Sequence, residues 1–148
     1  MKIKIKKTSK FAVTPTKMTE GAAAYDLYTA DAFTVREGRN MIPTDIAIEL
    51  PVGYEAKIEP RSGLSVKGMI DAHDERKDAD VIVGKIDSDY RGNIHIILKS
   101  YEKYPFTIAR NTRIAQLTIY KVEDADFVET SELSETERGF KGFGSTKE

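Results

Sequence analysis

Cysteine is absent from this chain of 148 residues. That excludes disulfides, thiolate nucleophiles and cysteine-based zinc sites. Histidine is scarce: His73 and His95 are the two, far apart in sequence, which argues against a histidine metal site and against any scheme needing a histidine pair. No long apolar run exists to span a membrane. The N-terminal "MKIKIKKTSK" carries lysines without an apolar stretch and does not read as a secretory signal. An excess of one charge is missing too. The net charge of -1 offers no general attraction to nucleic acid or anionic lipid. The expectation is a cytoplasmic protein, or one of the host cytoplasm for a phage or viral source, with neither nucleic acid nor membrane as partner.

What is present points to strands. The length suits one domain over residues 1–148, and 40% hydrophobic with 32% charged residues is ordinary for a globular chain. Helical periodicity is missing and period-two alternation takes its place. It runs through residues 2–7, through 45–60 with a break near Pro51 and Gly53, and through 93–99, 113–122 and 126–130. Turn signals such as "REGRN" and "DYRGN" separate these runs. The pattern predicts an all-β sandwich or barrel. "DAHDERKDAD" (71–80) nearly lacks large apolar residues and reads as a solvated loop with room for one helical turn. From about Ser131 the chain is polar and glycine-rich and reads as an extended arm, residues 131–148, beyond a core of 1–130.

Several stretches could carry chemistry. "GKIDSDYRGNI" (84–94) resembles a hairpin with a tight turn. Its aspartates fit turn capping, or a general base at Asp87 beside Tyr90, whose ring would wall a sugar or base. In "EPRSGLSVKG" (59–68), Arg61, Ser62 and the amide of Gly63 form a compact anion-binding set; an exposed arginine on a turn is the plainer reading. Arg138, Ser145 and Thr146, among Gly139, Gly142 and Gly144, form a second set. Neither matches a Walker loop or a dinucleotide fingerprint. Asp26, flanked by apolar residues, predicts partial burial and a partner: an arginine such as Arg61 in a structural ion pair, or a hydrated cation. Gln116 interrupts an apolar strand and is either a satisfied core amide or a phosphate ligand. Two phosphate-type sets and an acidic-aromatic hairpin suggest a nucleoside polyphosphate.

"AAAYDLYTA", "PRSGLSVKG", "GKIDSDYRGN", "RIAQLTIYK" and "RGFKGFGST", in this order over residues 22–146, resemble the five motifs of the trimeric deoxyuridine triphosphatases (dUTPases). The resemblance implies a distorted jelly-roll β-barrel assembled as a homotrimer, with three active sites between subunits. It implies hydrolysis of dUTP to dUMP and pyrophosphate, with one Mg²⁺ held mainly by the triphosphate. Asp87 would be the base that activates water. Tyr90 would stack on the deoxyribose, and backbone groups between Val81 and Ile86, including Gly84 and Lys85, would read uracil. Arg61, Ser62, Gly63 and Gln116 would hold phosphates. Arg138, Gly144, Ser145 and Thr146 would close on the γ-phosphate, and Phe143 would cover the base. Asp26 would lie in the outer surroundings of the Mg²⁺ or hold Arg61.

The sequence departs from the family pattern at Val81, where an asparagine is usual, and in the longer segment at 71–80. That segment is a tolerated surface loop or a surface for a protein partner. A related deaminase acting on dCTP is the competing enzyme, and the "FGST" ending argues against it.

Overall fold

The computed structural model describes residues 1–142. Short strands dominate: β1 (Lys4–Lys7), β2 (Tyr25–Tyr28), β3 (Phe33–Val35), β4 (Gly38–Pro43), β5 (Ile46–Glu49) and β6 (Tyr54–Glu59) precede a short helix, α1 (Ser62–Lys67). After it come β7 (Met69–Ile70), β8 (Arg76–Lys77), β9 (Ala79–Ile82), β10 (Gly84–Ile86), β11 (His95–Ser100), β12 (Phe106–Ile108) and β13 (Arg113–Lys121). A four-stranded antiparallel sheet runs β10-β6-β13-β2, and a three-stranded one runs β4-β11-β9. The pairs β1-β5, β12-β3 and β7-β8 complete a jelly-roll-type fold.

Alternation explains how the sheets share one core. Leu27, Ala56, Ile58, Ile86, Ala115 and Leu117 face inward from the first sheet, and Ile42, Val81, Ile96 and Leu98 from the second. Each fully buried Ile or Leu contributes about 1.5–3 kcal/mol. The residues between them, Glu55, Lys57 and Glu59 on β6 and Gln116, Thr118 and Tyr120 on β13, share the opposite, polar face. Buried hydroxyls are satisfied. Thr29 Oγ1 donates to the Ala109 carbonyl at 2.8 Å and accepts from the Thr112 amide at 2.9 Å.

Three local expectations need correction. Residues 126–130 form no strand; Phe127 and Val128 stand 99% and 83% exposed. Their alternation has no second strand to pair with among the described residues, and period two alone does not make a sheet. The stretch 84–94 is not a hairpin, because β10 pairs with β6 while β11 pairs with β4 and β9. Its turn, with the Tyr90 amide on the Asp87 carbonyl at 3.2 Å, carries the chain from one sheet to the other.

The charged segment 71–80 is ordered rather than a plain loop. β7 and β8 form a small hairpin around Asp71, which is 6% exposed. Asp71 Oδ1 accepts the amides of His73 at 2.8 Å and Glu75 at 2.9 Å, and Lys77 Nζ lies 3.4 Å from Oδ2. Burial pushes this carboxyl up, but the two amides and Lys77 outweigh it and hold it below the usual carboxylate range. Gly68, at φ 82°, lies under the hairpin; a Cβ there would sit 2.6 Å from the Lys77 carbonyl oxygen. A polar network and a close backbone approach thus replace the apolar residues that the segment lacks.

Candidate active site

Asp26 is the centre of one end of the four-stranded sheet. It sits on β2, 7% exposed, with its amide bound to the Thr16 carbonyl at 2.8 Å. Arg61 Nε lies 3.0 Å from its Oδ1, and Arg113 Nη1 lies 3.2 Å from its Oδ2. Arg61 Nη1 also donates to the Arg113 carbonyl at 2.9 Å. Of the two partners expected for Asp26, the geometry favours the arginine. Both carboxylate oxygens are engaged, and Arg61, held through Nε and Nη1, lines the adjoining cleft.

The chain turns at Pro60 and Arg61 into α1, a helix where the sequence suggested only a turn. The Leu64 and Ser65 amides bond to the Arg61 carbonyl, each at 2.9 Å. The amides of Ser62 and Gly63 come before the first intrahelical acceptor and lack a partner of that kind. Ser62 and Gly63 line the same cleft as Arg61. The cleft, about 390 Å³, is lined by Ala22 to Ala24, Asp26, Glu59, Arg61, Ser62, Gly63, Gln116, Thr118 and Tyr120. Register explains the company: Gln116 on β13 stands opposite Asp26 on one side and Glu59 on the other.

Arg113, Glu59, Thr118 and Tyr120 were not anticipated. Simple alternation places Arg113 and Gln116 on opposite faces. A bulge between Arg113 and Ala115 breaks the count and turns Arg113 to Asp26. For Thr118 and Tyr120 a signal existed, the period-two continuation of Gln116. Glu59 opens the stretch 59–68 but joins the cleft by pairing opposite Gln116 across β13, which no periodicity within one strand shows.

Asp87 and Tyr90 lie elsewhere. Ile86 pairs with Ala56, so Asp87 is level with Glu55, four residues before Glu59 and about 13 Å from it along β6 at the usual strand rise. Asp87 is exposed. Tyr90 is 45% exposed, its hydroxyl donating to the Asn93 carbonyl at 3.0 Å. Its ring folds across Gly92, where a Cβ would overlap the phenol.

Val81 and Ile86 point into the core, 8% and 5% exposed, so only their backbones can meet a ligand. β9 and β10 are each the outermost strand of a sheet, and an outermost strand offers unpaired amides and carbonyls. Gly84 and Lys85 lie on β10, and Lys85 is ion-paired with Glu55. That pairing raises the Lys85 ammonium and lowers the Glu55 carboxyl relative to their usual values.

Arg138 Nε donates to the Lys141 carbonyl within the arm, at 3.0 Å, and is not among the residues lining the cleft. Phe143, Gly144, Ser145 and Thr146 lie outside the described residues. No cluster of three or more His, Asp or Glu that could hold a metal occurs among the described residues.

The sequence profile of the dUTPase family matches residues 10–147. The chain is 42% identical to the deoxyuridine 5'-triphosphate nucleotidohydrolase of Nautilia profundicola over 147 residues, covering 99% of both chains. It is 44% identical to the avian adenovirus 8 enzyme of the same name, over 99% of this chain and 85% of that one. Among solved structures it is similar to Staphylococcus bacteriophage 80alpha dUTPase with dUPNHPP, with TM-score 0.83, 28% identity and 98% of each chain covered. A variant of the phage phi11 dUTPase, described with a coordinated structural Mg(II) ion, shares the fold at TM-score 0.77 and 22% identity, over 89% of this chain and 98% of that one.

Proposed function

The chain belongs to the dUTPase family, and on that premise we propose that it hydrolyses dUTP to dUMP and pyrophosphate, as a dUTP diphosphatase acting on the cytoplasmic nucleotide pool. This activity keeps uracil out of DNA and supplies dUMP for thymidylate synthesis. The observation that carries the reading is the cleft where Asp26 fixes Arg61 beside the free first-turn amides of Ser62 and Gly63. A fixed guanidinium, two amides and the Gln116 side chain suit the oxygens of a polyphosphate.

Asp87 takes a proton from water as the oxygen attacks the α-phosphorus. The bond from that phosphorus to the oxygen bridging it to the β-phosphate breaks, and pyrophosphate leaves. Arg61 and the amides of Ser62 and Gly63 meet the charge that develops on the phosphate oxygens. Tyr90 lies against the sugar and leaves no space for a 2′-hydroxyl. The outermost backbones of β9 and β10 read the uracil edge, where cytosine would leave buried donors and acceptors unpaired at about 1–3 kcal/mol each. Mg²⁺ would supply charge neutralisation, and the residues fit an ion carried in by the triphosphate, since a protein cage is missing among those described.

Asp87 and the cleft occupy opposite ends of β6, so one copy of the chain does not bring base and phosphate together. We place Asp87, Tyr90 and the uracil-reading strands of one subunit against the cleft of a second, in a cyclic homotrimer. The arm, with Arg138 and residues 143–146, closes the site from a third. The segment 71–80, none of which lines the cleft, is where a protein partner would dock.

A pyrophosphate-release assay with dUTP, UTP, dCTP and dTTP in Mg²⁺ tests the reading. Turnover of dUTP alone is expected. Absence of dUTP turnover, or ammonia release from dCTP, would overturn it.

A further inference from the structure

Glu59 is a charged residue of the cleft to which no motif assigns a role. It lines the cleft between Thr118 and Tyr120, across β13 from Asp26. Its carboxylate accepts from Thr118 Oγ1 at 2.7 Å and from the Tyr120 hydroxyl at 3.2 Å. Both donors are neutral. Among the described residues no lysine or arginine pairs with it, and the nearby Lys57 is committed to Glu55 at 3.5 Å and to the Tyr120 ring at 4.5 Å. Asp26 differs in having two arginines to itself.

The cleft thus has no cationic excess: among its lining residues Arg61 stands with two carboxylates, Asp26 and Glu59, and Arg113, outside the lining, pairs with Asp26. A free nucleoside triphosphate, carrying about four negative charges near neutral pH, meets no net positive field there and meets the unpaired Glu59 directly. Thr118 and Tyr120 orient that carboxylate and leave its charge intact. A hydrated divalent cation on the phosphates reverses the sign of the encounter, because a carboxylate attracts what it would otherwise repel.

We propose that Glu59 makes the cleft select the metal-loaded nucleoside triphosphate over the metal-free one, by repelling the bare polyanion and accepting from water bound to the cation. This inference rests on the dUTP reading of the cleft. Glu59 acts as a specificity-determining carboxylate, and the proton transfer remains with Asp87.

Calorimetric binding of the α,β-imido analogue of dUTP, with EDTA or with saturating Mg²⁺, separates the two ideas. Wild-type protein is expected to favour the Mg²⁺ form. In Glu59→Gln, an isosteric change that removes the charge, metal-free analogue is expected to bind about three- to tenfold tighter while the Mg²⁺ form weakens, so the two affinities move in opposite directions. Thr118→Val and Tyr120→Phe keep the charge and should leave the ratio of affinities within about twofold. If both affinities of Glu59→Gln shift by the same factor, or the metal-free affinity stays put, the inference is overturned and the dUTP reading survives. If wild-type protein binds the analogue in neither buffer, the dUTP reading falls and this inference falls with it.

Discussion

Asp26 and Asp87 sit at opposite ends of one sheet in opposite circumstances. Asp26 is 7% exposed, tied to Thr16 through its amide and to two arginines through its carboxylate. Asp87 stands exposed at the end of β10, with no ion pair among the described residues. The first end is built by cross-strand register within a single chain, which fixes Arg61 before any ligand arrives. The second is a presenting surface: its aspartate and tyrosine face outward from a turn that carries the chain between sheets. The difference teaches that one chain builds a fixed ion-paired end and an exposed presenting end about four residues apart along β6, a division that the proposed mechanism would join by assembly.

The largest effect expected from breaking this division comes from mixing. Asp87→Asn should keep nucleotide binding and lose about 10²–10⁴ in turnover, and Arg61→Ala should also be nearly inactive. If the two ends belong to different copies, unfolding and refolding an equal mixture should restore about a quarter of wild-type turnover, since each site draws its two halves at random. No recovery on mixing would put base and cleft in the same chain.

An intermediate effect should follow from Gly92→Ala. The added methyl displaces Tyr90 without touching the cleft. The ratio of kcat/KM for dUTP over UTP should fall by about tenfold, in keeping with a displacement on the ångström scale. An unchanged ratio would remove Tyr90 from the sugar wall.

The smallest effect should come from Asp71→Asn, away from both ends. The folded-state carboxyl lies below its usual range, net of a burial contribution that opposes this. Its stabilisation is therefore present above the ordinary carboxylate pKa and lost as pH falls through the lowered one. Urea midpoints of wild type and variant should differ at neutral pH and converge in acid, with turnover of dUTP equal. A gap that persists into acid would assign the hairpin's order to something other than Asp71.

Much of this was legible in sequence for a physical reason. Strands with one buried face show it as alternation, which is why 45–60, 93–99 and 113–122 match β5, β6, β11 and β13. Asp26, Arg61, Ser62, Gly63 and Gln116 could be marked because a charge among apolar neighbours, or glycine beside arginine and serine, is unusual locally. What stayed hidden depends on pairing across the chain. Arg113 reaches Asp26 only through a bulge, and the alternation of 126–130 does not show whether a second strand exists to receive it. The order in 71–77 comes from one carboxylate collecting two amides, which resembles an ordinary charged loop in composition.

β13 carries a further consequence. This strand, the last among the described residues, lies between β6 and β2; Gln116, Thr118 and Tyr120 line the cleft, and Arg113 holds Asp26. Its partners were synthesised about 60 and 90 residues earlier, contacts that close long loops and form late. A nascent chain thus lacks this cleft until β13 has emerged, and recovery of nucleotide binding during refolding should serve as a clock for the docking of this one strand.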